Sequence, residues 1–334
     1  MYQLLGICLA LTALLAVNAV VSLGMAVAWK LLKGRVSQFS ARARAEILFA
    51  MRALPPAAAG ICVGFFLIPA YVNYEPVATT EVLSKKLAAL AFFSAAGLAL
   101  ALWRVCRSWR ATQSLMRSWL AAAEPIHVPA IEIPTFRIRH PFPVIAVVGT
   151  ISPRLFIAEQ VLCTLNDDEL AAAIAHEHGH LTARDNLKRS TLRACRNVLL
   201  VVPFGRALDR AWADAAEAAA DEHAAATNPD SALDLASALV KIAKMVPAGR
   251  RADVPLAAYL VGVDETQGVK ARIRRLIELA SAGFRKQEPS GALARIIPLA
   301  ALAAFFFCAT LVASSPRVLL AVHALIEHAV DLLC

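Results

Sequence analysis

The sequence predicts a mainly α fold, in which four helical membrane spans carry an α+β domain with a small β-hairpin or sheet on the cytoplasmic side. Apolar residues make up 59% of the 334 residues, a share too high for a soluble protein. Four runs with few or no charges hold this excess, and each is about long enough to cross a hydrocarbon core of roughly 30 Å. The large polar block, roughly 105–290, lies between the third and fourth runs.

The apolar runs divide the chain into a membrane part and a polar part. The first run lacks a basic leader and is too long for the core of a signal peptide, so we interpret it as a retained span. The predicted organisation is a membrane domain over 1–104 with spans at about 4–29, 53–72 and 87–103, a cytoplasmic domain over 105–290, a fourth span over 291–315, and a short external amphipathic tail over 316–334.

The net charge of +9 indicates membrane topology and not a surface for nucleic acid. Six Lys and Arg residues lie between the first two runs against the single acid Glu46, and four arginines follow the third run before Glu124. By the positive-inside rule these segments face the cytoplasm, whereas the N-terminus and the loop 73–86 face outward. We expect a multi-pass protein, as in the bacterial inner membrane, with the lipid bilayer as a partner and no nucleic acid.

The polar block combines strand-like runs with five predicted helices. Asn166 and Glu169 match a capping box, which predicts the start of a helix that ends near residue 182. Two short apolar runs joined by a turn-rich connection are typical of a hairpin. The expected elements are a basic helix at 107–123, a β-leaning stretch at 131–140, the hairpin strands 144–149 and 154–158, and helices at 167–182, 205–226, 231–245 and 267–282.

The helix at 167–182 carries His-Glu-His-Gly-His at 176–180. On a 3.6-residue period His176 and His180 lie about 40° apart, so both imidazoles can reach one tetrahedral Zn²⁺. Glu177 flanks that face, where a carboxylate can deprotonate a zinc-bound water. The pattern predicts one catalytic zinc per chain with Glu177 as the base. The seven cysteines show no ligand spacing, so we do not expect cysteine to hold the zinc.

A catalytic zinc needs three protein ligands and one open position, and Glu217 is the candidate for the third ligand. Glu217 and Asp221 are four residues apart on one face of the helix at 205–226, where alanines allow close packing. Asp221 is expected to orient a ligand histidine or the Glu217 side chain. Arg210, seven residues before Glu217, points the same way and is a candidate to stabilise the oxyanion.

An idle motif is the alternative interpretation, because a solvated alanine-rich helix can carry HExxH without a metal. The apolar run 170–175 argues against it, since it buries the helix and an unpaired buried charge is costly. His178 points about 160° from His180 and is predicted to be a packed or surface histidine. Gly179 is expected to allow a close approach of a neighbouring backbone.

The sequence 176–187, His-Glu-His-Gly-His-Leu-Thr-Ala-Arg-Asp-Asn-Leu, resembles the BlaR/MecR-type membrane metallopeptidases. Further resemblances lie at 144–156, at 217–221 and at 271–277. HtpX and CAAX-type proteases form the nearest neighbouring family. The resemblance implies a gluzincin-like site, in which His176, His180 and Glu217 bind zinc and Glu177 is the base. Asp185, in the Arg-Asp-Asn sequence, is expected to support the ligands as Asp221 does.

The C-terminal tail departs from the antibiotic sensors of that family, which carry a large penicillin-binding domain after the last span. About 20 residues follow Ser314 and the chain contains no Ser-x-x-Lys, so we expect no sensor domain and no covalent binding of penicillin. His323, Glu327 and Asp331 form a polar stripe at spacing four on an otherwise apolar helix. This helix is expected to lie in the membrane boundary or to pack against the spans.

The leading hypothesis is a membrane-anchored zinc endopeptidase, a hydrolase that cleaves protein substrates at the cytoplasmic face in regulated proteolysis or signalling. An extended substrate is expected to pair with an edge strand formed by Val144, Ile145, Ala146, Val147 and Val148. The alternatives are an HtpX/CAAX-like quality-control or processing protease, and a non-catalytic zinc-containing receptor or scaffold, against which the intact Glu177 counts. The few ionisable residues in the spans disfavour a channel or transporter. The sequence does not identify the substrate, which could be the protein itself or a cytosolic repressor, and it does not determine the oligomeric state.

Overall fold

The computed structural model describes residues 2–76, 83–128, 131–195, 205–246, 266–281, 310–312 and 314–333. The helices are α1 (Tyr2–Val36), α2 (Ala41–Ile61), α3 (Ile68–Tyr74), α4 (Lys85–Leu120), α5 (Glu159–Thr164), α6 (Asp167–Thr182), α7 (Asp185–Cys195), α8 (Gly205–Ala225), α9 (Ser231–Met245), α10 (Thr266–Ser281) and α11 (Pro316–Leu333), and the strands are β1 (Glu124–Ile126), β2 (Thr135–Ile138), β3 (Ile145–Val148) and β4 (Arg154–Ala158). A π-helical segment, Cys62–Leu67, joins α2 to α3.

Three helical stretches are long and apolar enough to cross a membrane: Tyr2–Val36, Ala41–Tyr74 and Lys85–Leu120. They contain the first three predicted spans. Phe92 and Phe93 on the third stretch are 69% and 63% exposed, as expected for a surface that meets lipid. The fourth predicted span, 291–315, lies largely outside the described residues.

Helix α4 continues from the third predicted span into the basic helix expected at 107–123, without the break that we placed near residue 104. No proline occurs between Pro76 and Pro125, and arginine is a good helix former, so charge ends the apolar run but not the helix. Trp119, near the end of α4, packs edge-on against Phe156 in β4 at 5.2 Å between ring centroids. The third candidate span therefore continues directly into the helix that packs on the sheet.

The four strands form one mixed sheet in the order β1-β2-β4-β3. The predicted hairpin is present as the antiparallel pair β3 and β4, and β2 pairs with β4 in parallel. Gly149 has a φ of +108° in the connection between β3 and β4, a conformation that side chains disfavour. β1, which has only three residues, was not predicted.

Strand β3 lies at the edge of the sheet, as expected for the substrate strand, and its four residues are buried. The carbonyl of Val144 accepts a hydrogen bond from Ala158 N at 2.8 Å. Because pairing alternates along an antiparallel ladder, the backbone groups of Ile145 and Val147 point away from β4. The open side of β3 thus faces α6, with which the strand is in contact.

The sheet, α6, α9 and α10 share one hydrophobic core. Leu235, Leu239 and Ile242 on α9 and Leu276 on α10 have at most 1% of their surface exposed. The apolar residues of α9 recur at helical spacing, which is the pattern that predicted this helix. Burial of α6 on one side by the sheet and on the other by α8 and α9 fixes the helix that carries the HExxH motif.

A second core joins the first turns of α2 to α7 and α8. Ala45 and Leu48 of α2 pack with Leu208 and Trp212 of α8, and Arg52 Nε donates to Asp209 Oδ1 at 3.2 Å. The second candidate membrane-spanning stretch is therefore packed directly on α8, the helix that carries Glu217.

A third core lies at the opposite end of the spans. The terminal helix α11 buries Leu319 and Ile326 against residues of α1, α3 and α4, which include Leu5, Tyr71 and Leu87. Of the two arrangements expected for the tail, the structure has the one in which it packs against the spans.

Candidate metal centre

The start of α6 is fixed by the capping box expected from the sequence. Asn166 Oδ1 accepts from Glu169 N at 2.8 Å, and Glu169 Oε2 accepts from Asn166 N at 3.0 Å. The Glu169 carboxylate also accepts from Ser237 Oγ at 2.6 Å and from Lys241 Nζ at 2.7 Å, both on α9. Burial raises the pKa of Glu169, but these hydrogen bonds outweigh it and lower the pKa below its ordinary value.

His176 and His180 on α6 and Glu217 on α8 converge, with their donor atoms within 4.8 Å of one another. Each histidine Nε2 lies 3.6 Å from an oxygen of Glu217. This separation is too long for a hydrogen bond, and it is close to the roughly 3.4 Å between two donors in a tetrahedral site with bonds of about 2.1 Å. Two imidazoles and one carboxylate form a donor set that fits Zn²⁺.

Two aspartates hold the other nitrogens of the histidines. His176 Nδ1 lies 3.0 Å from Asp221 Oδ1, and His180 Nδ1 lies 2.7 Å from Asp185 Oδ2. A carboxylate on Nδ1 fixes the ring orientation and leaves Nε2 for a metal. The structure thus places both predicted supporting carboxylates against the two histidines.

The position of Asp185 depends on a sharp turn at the end of α6. Arg184 has a φ of +55°, in the left-handed region where a helix commonly ends, although glycine is the usual residue there. This turn allows α7 to begin at Asp185 and brings the carboxylate back to His180. The sequence predicted neither the turn nor α7.

Close packing of α6 on α8 depends on Gly179. A Cβ atom at this position would lie 3.1 Å from Ala220 Cα and 3.2 Å from His223 Cβ. Both contacts are tighter than ordinary van der Waals distances. The expected close backbone approach is present, and it brings Glu217 within reach of the two histidines.

Arg272 on α10 is part of the cluster and was not singled out from the sequence. Its guanidinium donates to Asp221 at 2.6 and 3.1 Å and lies 3.2 Å from Glu217 Oε2. One nitrogen also lies 3.4 Å from both ring nitrogens of His176. The basic motif at 271–277 was a sequence signal for this residue. That motif entered only as part of the family resemblance, and its arginines had no assigned role.

The charges of this cluster shift its pKa values. Burial and the Arg272 charge act to lower the pKa of His176, but the hydrogen bond with Asp221 and the nearby Glu217 carboxylate outweigh them and raise it to about 9. Burial acts to raise the pKa of Glu217, yet His180, Arg272 and His176 hold it well below its ordinary value. Without a metal, the negative charges of Glu217 and Asp221 are therefore balanced by protonated His176 and by Arg272. A divalent ion can take over part of this charge balance.

Glu177 is 7% exposed and contacts the edge strand. Its Oε2 accepts from Val147 N at 3.1 Å. The amide nitrogen of Asn186 donates to Val147 O at 2.9 Å and to Gly149 O at 3.1 Å. The backbone groups that Val147 presents to the open side of β3 are thus both engaged within the protein.

Two other sequence candidates lie apart from the cluster. Arg210 is exposed and lies about 10 Å before Glu217 along the axis of α8. In the described part of the chain, the guanidinium that contacts Glu217 belongs to Arg272. His178 is turned away, as expected, with its Nδ1 3.2 Å from His223 Nε2.

The HExxH helix, the carboxylate helix packed on it and the neighbouring edge strand together define a metallopeptidase type of site. Residues 144–264 match the model of Peptidase family M48. The matched segment includes β3, α6 and α8 and thus every ligand of this candidate centre, and it supports a metallopeptidase function. No curated protein matches the chain. A BlaR/MecR-type or HtpX-type role stays a prediction.

Proposed function

We propose that the protein is a membrane-anchored, zinc-dependent endopeptidase with its active site on the cytoplasmic side. The observation that carries the proposal is the convergence of His176, His180 and Glu217, with Glu177 beside them. The match to family M48 supports the same chemistry, and three membrane-type helices support the anchoring.

His176, His180 and Glu217 would hold the ion. Zinc bound there supplies a Lewis acid for the scissile carbonyl and lowers the pKa of a water molecule to about 7. Asp221 and Asp185 keep Nε2 of each histidine turned toward Glu217. Arg272 holds the carboxylates of Asp221 and Glu217 in place, which makes it a positioning residue.

Glu177 is the general base of the proposal. It takes a proton from the attacking water and delivers it to the leaving amine nitrogen as the peptide bond breaks. The Val147 N–H fixes one carboxylate oxygen, which leaves the other oxygen for proton transfer.

The substrate is proposed to bind as an extended peptide along β3. Main-chain pairing accepts many sequences, since the bonds involve only backbone groups. At Val147 such a peptide must replace the hydrogen bonds with Glu177 and Asn186, or it must pair with the strand at Ile145. Substrate pairing is therefore expected to compete with the Asn186 side chain.

The position of α8 favours substrates that are themselves membrane-bound. Asp209 near its start bonds Arg52 on the second membrane helix, so the proposed site lies close to the membrane surface. This proximity supports the HtpX/CAAX-like processing or quality-control role as the second candidate beside regulated proteolysis.

The test is zinc content and casein hydrolysis of the purified full-length protein. Glu177→Gln is expected to keep zinc and lose hydrolysis, whereas His176→Ala, His180→Ala and Glu217→Ala are expected to lose both. His178→Ala, in the same motif but bonded to His223, is the matched control and should keep both. Full zinc occupancy in Glu217→Ala would contradict the ligand assignment, and hydrolysis by Glu177→Gln would contradict the assigned base.

A further inference from the structure

A second cluster of metal-binding side chains lies at the other end of the membrane helices. Glu75 follows α3 directly, and His323 and Glu327 stand one turn apart on α11. Their donor atoms all lie within 4.8 Å of one another. These residues have no part in the proposed peptidase site.

The cluster is far from the first one. Leu48, which packs against α8, and Glu75 are separated by 27 residues of nearly continuous helix, or about 40 Å at 1.5 Å per residue. That distance exceeds the roughly 30 Å of a hydrocarbon core. The two clusters therefore belong to opposite ends of the spans.

The two carboxylates lie beside different ring nitrogens of His323, and both distances are longer than those of a close ion pair. His323 Nδ1 lies 3.8 Å from Glu75 Oε2, and His323 Nε2 lies 3.4 Å from Glu327 Oε1. A protonated histidine paired with Glu75 would be expected nearer 2.8 Å. Nδ1 is instead buried with no hydrogen-bond partner in the described part of the chain, and such a group is costly unless a further atom satisfies it.

The surrounding structure holds the cluster in place. The side chains of Glu75 and His323 are 7% and 13% exposed. Packing of α11 on α3 fixes their relative positions, and the Tyr74 ring lies 6.0 Å from the His323 ring. Glu327 is 61% exposed, which leaves one side of the cluster open to solvent for entry of an ion.

The donor set selects the kind of ion. One neutral imidazole and two carboxylates carry a charge of −2, which a divalent cation neutralises. An imidazole ligand favours a first-row transition ion over Ca²⁺ or Mg²⁺, and the lack of thiolate disfavours Cu(I). Three protein ligands leave positions for water.

We propose that Glu75, His323 and Glu327 form a second site, which binds a divalent transition-metal ion such as Zn²⁺ and ties the terminal helix α11 to the outer end of α3. The site joins two segments that are 248 positions apart in sequence, from 75 to 323. Binding there stabilises the arrangement in which α11 covers α1, α3 and α4.

The experiment uses the full-length protein in detergent with the first cluster removed by His176→Ala and His180→Ala. Zinc content after equilibration with Zn²⁺ is measured, and the absorption of Co²⁺ in its place reports a nitrogen and oxygen ligand field. This background is expected to bind one ion per chain. Adding His323→Asn or Glu75→Gln should abolish binding, and adding His328→Asn, an exposed histidine on the same helix, should leave it unchanged.

Thermal unfolding provides the second measurement. Zn²⁺ should raise the Tm of the background protein and of its His328→Asn form but not of its His323→Asn form. An absence of bound metal in the background protein overturns the proposal, and so does equal binding by the His323→Asn and His328→Asn forms. Because the first cluster is absent throughout, the result does not depend on the peptidase assignment.

Discussion

Asp185 contacts His180 on the nitrogen that faces away from Glu217, at 2.7 Å. We expect Asp185→Asn to weaken zinc binding by about 10–100-fold, the usual effect of losing a carboxylate partner of a ligand histidine. A chromogenic chelator that competes for zinc measures the change. Asp167→Asn, an exposed acid in the first turn of α6, is the control for charge alone. Equal affinities of the two variants would contradict the role of Asp185.

Arg272 is the cation that balances Asp221, which is fully buried. Arg272→Met should lower the free energy of unfolding of the metal-free protein by about 3–5 kcal/mol, because it leaves buried carboxylates unpaired. Thermal unfolding measures the loss. Arg274→Met, on the exposed side of α10, should have little effect. A similar stability of both variants would show that Asp221 does not depend on Arg272.

The raised pKa of His176 gives the metal-free protein a defined pH dependence. The folded value is about 9 against an ordinary value of 6.5. The stabilisation by charged His176 is therefore complete below pH 6.5 and is lost as the pH rises through about 9. The Tm of the metal-free protein should fall over this interval, and His176→Ala should flatten the fall. An unchanged slope in this variant would exclude His176 as its source.

The local part of the site follows from sequence, and the rest depends on distant contacts. His176, Glu177 and His180 are fixed by helical spacing, and Glu217 with Asp221 by the same period on a second helix. Arg272 reaches Asp221 across 51 positions, which periodicity does not encode. The position of Asp185 depends on the left-handed backbone conformation of Arg184. The sequence does not predict this conformation, because no glycine stands at that position.

At the scale of elements, the contact of α6 with α8 determines whether the ligands can meet. Gly179→Val should push α8 away from α6, since even a Cβ would lie 3.1 Å from Ala220 Cα. Loss of casein hydrolysis together with weaker zinc binding is the expected result. Gly34→Val is the control, because a Cβ there meets nothing within 4 Å. Wild-type zinc affinity in Gly179→Val would argue against this packing as the determinant.

Element boundaries were predictable where a local signal exists. The capping box at Asn166 marked the start of α6, and the hairpin strands matched their apolar runs. The sequence did not indicate that α4 continues past residue 104, because a change from apolar to basic residues alters the surroundings of a helix and not its hydrogen bonds. β1 has three residues, and its pairing with β2 depends on the fold.

For the whole molecule, the ten Lys and Arg residues of the two proposed inner segments determine the expected orientation. A reporter fused near residue 285 should be cytoplasmic, and one fused at residue 78 should be external. Accessibility of each reporter to an impermeant label in intact cells measures this. The reverse pattern would place the peptidase site outside and rule out cytosolic substrates.

The π-helical segment Cys62–Leu67 lies between the two contacts that the second membrane helix makes at its ends. Each residue of an α-helix turns the chain by about 100°. A one-residue change of hydrogen-bond register in the π-helical segment would therefore rotate α3, which follows it, by about that angle relative to α2. Arg52 would keep Asp209 while Glu75 would swing away from His323. The hydrogen-bond register of this π-helical segment therefore determines whether Arg52 can contact Asp209 while Glu75 contacts His323.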